Sequence, residues 1–188
     1  MIRKVVKILW IFIALISLVC VFIFFSIAKG WIGYMPPVED LENPNYKFAT
    51  EVFSEDGKVL GTYSYSKENR VFVGYNDLSP NIINALIATE DVRFAEHSGI
   101  DAYALTRAVV KRGILMQKNA GGGSTITQQL AKNTLFTQEK HLARKAAEMF
   151  AALAIEKQYN KEQIFEMYVN TIYFGSGHYG IGEAAQGY

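Results

Sequence analysis

One stretch limits this chain before any other: Ile8 to Ala28, ILWIFIALISLVCVFIFFSIA, holds no ionisable carboxylate or amine. As a helix at about 1.5 Å per residue it runs roughly 30 Å, the thickness of a bilayer core. Arg3, Lys4 and Lys7 precede it and only Lys29 follows closely. The positive-inside bias therefore places the N-terminus in the cytoplasm and the rest of the chain outside it. Trp10 and Trp31 fall near the two ends, where indoles favour the interface. A cleaved signal would have a shorter apolar region and a small-residue cleavage site. No convincing site follows the run, so the expectation is a retained single-pass anchor. Cys20, the one cysteine in the chain, lies inside it, which excludes an intramolecular disulfide and a cysteine-cluster zinc site.

Residues 30–48 carry three of the four prolines and read as a stalk. Ala49–Phe53 and Val59–Tyr65 alternate apolar and polar residues around the turn signal Glu55-Asp56-Gly57, which predicts a small β-hairpin, with Val71–Val73 as a possible third strand. From Ser79 onward the pattern is helical and no further β pattern is expected. The organisation read here is an anchor over 1–29, a stalk and small β region over 30–76, and a mainly α unit over 77–188.

Ser79-Pro80 is a helix start, with Ser as N-cap and Pro at the first helical position. The helix that follows sets Ile83, Leu86, Ile87, Glu90 and Phe94 at three- and four-residue spacings. Glu90 either lies against this apolar stripe, where a carboxylate becomes a better base, or ends the helix in solvent. Tyr103–Met116 is apolar yet carries Arg107, Lys111 and Arg112. It is either a core helix with a basic outer face or an amphipathic segment against anionic headgroups. Gly121-Gly122-Gly123-Ser124 runs into a helix whose start, Thr125 with Gln128, has the form of a capping box. Such a loop is a plausible anion site, or simply a turn, and it lacks the ending of a Walker A loop.

Between Asp101 and Glu148 stand Arg107, Lys111, Arg112, Lys118, Lys132, Lys140, Arg144 and Lys145, with Glu139 the only acid. That field suits a polyanionic ligand or is a solvated basic face. Formal net charge over the whole chain is +1, which gives no general pull toward nucleic acid. Glu148, four residues after Arg144, reads as a surface ion pair or as a second functional carboxylate. His97, His141 and His178 show no zinc spacing.

Four runs in this order resemble the peptidoglycan glycosyltransferases of family 51. Glu90 to Gly99 (EDVRFAEHSG) resembles their first motif and Gly122 to Asn133 (GGSTITQQLAKN) the second. Arg144 to Glu148, with Ala152 and Glu156, resembles the third. Lys161 to Gly175 resembles the fourth, with Val169 where Leu is usual, and Gly180-Ile181 with Ala184-Ala185 the start of a fifth. The resemblance implies a lysozyme-like lobe behind an anchor in a bacterial plasma membrane, its catalytic part extracytoplasmic. It also implies that the chain stops short of the domain's last helices.

The chemistry implied is polymerisation of lipid II into β-1,4 glycan strands, with inversion and release of undecaprenyl diphosphate. By resemblance Glu90 is the general base, and Glu148 is a second carboxylate that assists the diphosphate or holds a divalent cation, Mg or Mn. Asp91, Phe94, His97, Ser124, Gln129, Lys132, Lys140, Arg144, Lys145 and Asn170 fall at family positions for substrate. Lys140 stands where many relatives carry Arg, so the charge is kept and the bidentate fork lost. The partners implied are lipid II, the growing strand, membrane lipid and other cell-wall synthesis proteins. Two alternatives stay open: a non-catalytic lipid II-binding or scaffold module, and a lytic muramidase.

Overall fold

The computed structural model describes residues 2–31, 50–63, 70–117, 122–136 and 142–188. Most of the expected stalk, and Lys140, lie outside the described residues. Helix α1 (Ile2–Ala28) is apolar and exposed along nearly its whole length, and its Arg3–Ser26 span is long and apolar enough to cross a membrane. Strands β1 (Thr50–Phe53) and β2 (Val59–Tyr63) pair antiparallel, Thr50 opposite Tyr63, with the register slipping between Val52 and Phe53. The expected hairpin is therefore present. Val71–Val73, however, joins no ladder.

Helices α2 (Pro80–Glu90), α3 (Ala102–Ala108), α4 (Ile126–Leu135), α5 (Leu142–Gln158) and α6 (Lys161–Thr171) form the lobe. Ser79 caps α2 as expected, its side chain accepting from the Asn81 N–H. Helix α3 continues as a π-helical turn over Val109–Ile114. After α6 come β3 (Tyr173–Gly175) and β4 (His178–Tyr179), then α7 (Ile181–Gly187). The β3–β4 hairpin corrects the expectation that no β structure follows Ser79. Its strands are too short to show alternation, and the Gly175-Ser176-Gly177 turn was the only cue.

The core forms around α4. Ile126, Leu130, Ala131 and Leu135 are buried, against Ala151 and Ile155 of α5 and Ile164, Phe165, Tyr168 and Val169 of α6. The polar residues of α4's first turns are buried too, and each is satisfied, as a buried donor must be. Thr127 donates to Glu156, and the Gln128 amide donates to the Gly99 carbonyl at 3.2 Å. Thr125 is the N-cap predicted, accepting from the Gln128 N–H. The reciprocal half of the capping box is absent because the Gln128 side chain is spent on Gly99.

Gly99 closes the loop after α2. Its φ is +90°, and a Cβ there would lie 2.8 Å from the Ala152 carbonyl oxygen of α5, so only glycine fits. On the far side of the lobe Asn170 takes the place of a neighbouring strand. Its side chain accepts from the Val73 N–H at 2.9 Å and donates to the Val73 carbonyl at 2.8 Å. Glu166, one turn earlier on α6, accepts from the Tyr75 N–H. These two side chains hold the extended segment that sequence alone suggested was a third strand. The C-terminal end of α1 leans on α5, Phe24 meeting Phe150 edge-on with ring centres 6.2 Å apart.

Candidate active site

An open groove of about 300 Å³ lies where the end of α2, the face of α3 and the start of α4 meet. Glu90, Arg93, Tyr103, Arg107, Ser124 and Gln129 are among its walls. Glu90 is the last residue of α2 and is exposed, so of the two readings of its position the solvated helix end is the correct one. The apolar stripe stops at Ile87 because Asp91 leaves the helix. The side chain is still held: Glu90 Oε2 accepts from the Gln129 amide at 2.8 Å. Gln129 Oε1 in turn accepts from the Tyr168 hydroxyl at 3.3 Å. Burial pushes the Tyr168 hydroxyl well above its ordinary range, and the Glu90 and Asp91 charges add to this. It therefore remains a donor.

Ser124, beside α4's N-terminus, brings a cation to the groove. The Lys145 ammonium donates to Ser124 Oγ at 2.8 Å and to Glu148 Oε2 at 3.0 Å. Glu148 is 2% exposed, and Arg144 Nε stands 3.0 Å from its other oxygen. It is thus no surface pair, and it sits behind Lys145 rather than on the groove wall. Lys132 is exposed on α4, almost one turn beyond Gln129.

Other expected site residues turn inward. The Asp91 carboxylate is buried and accepts from His97 Nε2 and from the Ile126 N–H, all at 3.0 Å. The Gly99 N–H donates to His97 Nδ1, so the ring proton sits on Nε2. Phe94 is 3% exposed and packs against Phe165, with the Lys161 ammonium 4.4 Å from its ring centre. Asn170 is spent on Val73. These four residues hold the groove's walls in register, and Phe94, His97 and Asn170 do not line it.

Sequence reading missed Arg93, Asp101 and Tyr103. The Arg93 guanidinium pairs with Asp101 through two nitrogens and lies 4.1 Å from the Tyr103 ring centre. Asp101 caps α3, accepting from the Ala104 N–H, and that N-cap spacing was the available signal. Burial pushes the Asp101 carboxyl up, but the Arg93 pair and the Ala104 N–H outweigh it and leave it below the ordinary range.

Glu148 by itself does not make a complete site for a divalent ion. It offers one carboxylate, and each oxygen already faces a cation. Among the described residues no group of three or more His, Cys, Asp or Glu side chains could hold a metal. Magnesium-class ions are commonly held by one or two carboxylates together with water and substrate phosphate oxygens, so a site at Glu148 would need a substrate's phosphates to complete it.

Residues 56–188, well over half of the chain, match the transglycosylase family. The chain belongs to that family. Its members are the peptidoglycan glycosyltransferases of family 51, and the fold is the lysozyme-like helical lobe expected. Similar proteins include penicillin-binding protein 1A of Aquifex aeolicus, 41% identical over 99% of this chain and 24% of the relative. Penicillin-binding protein 1A of Vibrio cholerae is 37% identical over 92% of this chain and 21% of its own length. Penicillin-binding protein 2a of Streptococcus pneumoniae is 42% identical over 87% and 21%. The transglycosylase chain described here thus spans about a quarter or less of these relatives.

Proposed function

We propose that this chain polymerises lipid II, with Glu90 as general base. The observation that carries this reading is a groove-facing carboxylate held through one oxygen by Gln129. That arrangement leaves Glu90 Oε1 to take a proton. The acceptor's 4-hydroxyl attacks the donor's anomeric carbon and gives its proton to Glu90. The bond from that carbon to the diphosphate breaks, its electron pair leaves with the diphosphate, and configuration inverts. A sugar hydroxyl is a weak nucleophile until its proton is taken, and a placed base contributes about 10²–10⁴-fold. The diphosphate leaves as an anion, so cations stabilise its departure without a general acid. Lys145, fixed by Ser124 and Glu148, is the best-placed of these cations, with Arg144 against the other Glu148 oxygen and Lys132, exposed on α4, a further candidate. No divalent ion is assigned a step.

The same reading gives the exposed apolar surfaces a use. Helix α1 is the anchor, with Arg3, Lys4 and Lys7 on its cytoplasmic side. Tyr103, Val109, Leu115 and Met116 are all exposed on α3 and the segment after it. A cluster of that kind suits membrane contact rather than water, and it lies beside the groove where a lipid-linked substrate would enter. The growing glycan strand is the second substrate, and other cell-wall synthesis proteins are the proposed partners.

The test is gel analysis of lipid II polymerisation by the full chain in detergent, parent against Glu90→Gln. The expected result is a loss of about 100-fold or more in rate. Polymer from Glu90→Gln at the parental rate refutes the assignment.

A further inference from the structure

We infer that Tyr168 is a positioning residue for Glu90, acting through the Gln129 side-chain amide. The inference rests on the reading of Glu90 as the base and adds a residue that the groove itself does not display. Three elements meet in one line of hydrogen bonds: the end of α2, the half-buried edge of α4 and the buried face of α6. An ionised carboxylate can only accept, so Gln129 must turn its NH₂ toward Glu90 and its carbonyl oxygen toward α6. At 3.3 Å from that oxygen stands the hydroxyl of Tyr168, itself 1% exposed. A phenol kept protonated there is a permanent donor.

Take the hydroxyl away and only the Glu90 carboxylate still selects which end of the Gln129 amide faces it. The flipped amide would present its oxygen to Glu90 and push the carboxylate off its mark. An exposed glutamate at a helix end has several rotamers to choose from, and fixing one costs conformational entropy that the Gln129 bond offsets. The Tyr168 ring meanwhile belongs to the core, with Phe165 6.3 Å away. An aromatic at that helical spacing reads as packing, and only its oxygen has a second use. The Tyr168 hydroxyl sets the amide, the amide sets the carboxylate, and Tyr168 itself meets no substrate.

The experiment measures kcat and KM for lipid II polymerisation by the full chain in detergent. It compares the parent with Glu90→Gln, Tyr168→Phe, Gln129→Ala and the Tyr168→Phe/Gln129→Ala pair, with a melting curve for each. Tyr168→Phe keeps the ring, so the melting temperature should stay near the parental one. Its kcat should fall about five- to tenfold, the worth of one hydrogen bond, with KM within about twofold of parental. Because Tyr168 acts through Gln129, the pair should be no slower than Gln129→Ala alone. Parental kcat in Tyr168→Phe, losses that multiply in the pair, or a KM change that accounts for the whole effect overturns the inference while the base assignment stands. Parental activity in Glu90→Gln instead overturns the base assignment and this inference with it.

Discussion

Asp91→Asn removes one oxygen's worth of acceptor from a site that needs all of it. The native carboxylate takes the His97 Nε2–H on both oxygens and the Ile126 N–H on one, each at 3.0 Å, with the side chain 3% exposed. An asparagine must point its NH₂ at one of these donors. Facing Ile126, it meets a backbone N–H that cannot turn away. Facing His97, it sets the NH₂ 3.0 Å from a ring nitrogen that already carries a proton, because the Gly99 N–H occupies Nδ1 from 3.2 Å, and leaves one oxygen to serve both donors. Either rotamer buries two opposed donors. A lost bond to a charged acceptor together with an unsatisfied buried donor comes to about 3 kcal/mol. For a chain of this size that lowers the melting temperature by about 6–12 °C. Near-ultraviolet circular dichroism in detergent is the assay, because it reads the packing of aromatics such as Phe94 and Phe165 and not helix content, to which α1 contributes. A melting point within about 2 °C of the parent would refute the donor count on which the argument depends.

Two further outcomes follow from single contacts. Asp101 is held below its ordinary range in the fold, so its pair with Arg93 contributes stability above the unfolded carboxyl's titration, and that stability is lost as pH falls below about 4. Asp101→Asn should therefore melt lower than the parent at pH 7, and the gap should narrow as pH falls below about 4; a constant gap between the two melting curves contradicts this. Asn170→Ala strands the Val73 N–H and carbonyl together and should cost about 2–3 kcal/mol in a denaturant titration, with Asn170→Asp recovering only the bond to the N–H.

Local signals in the sequence located the helix starts well. Ser79 with Pro80, and Thr125, are caps because side chain and backbone meet within three residues. The hairpin around Gly57 was legible for the same reason. What failed was long-range. Asn170 and Val73 lie 97 residues apart, so no periodicity announces that one completes the other's hydrogen bonding. Glu90 fell on the apolar period of its helix, yet the helix ends there and the period no longer applies. The family pattern named Asp91, Phe94, His97 and Asn170 as substrate residues. In the fold Phe94, His97 and Asn170 are spent on internal contacts, and Asp91, though on the groove wall, holds His97 and the Ile126 N–H; a motif marks both kinds of residue alike. Tyr168 was hidden because six of its ring carbons speak louder in a sequence than its one oxygen.

The contact at Gly99 has a consequence for anyone who wishes to alter this protein. Where two elements touch through side chains, a methylene more or less tunes their spacing. Here the main chain of the loop after α2 rests on the main chain of α5, with no room for a methyl group between them. The separation between the strip that carries Glu90 and the helix that carries Lys145 is accordingly fixed by atomic radii and cannot be graded by substitution. Variation in reach or substrate size must come from the α3 wall, where Tyr103 and Arg107 stand exposed and replaceable.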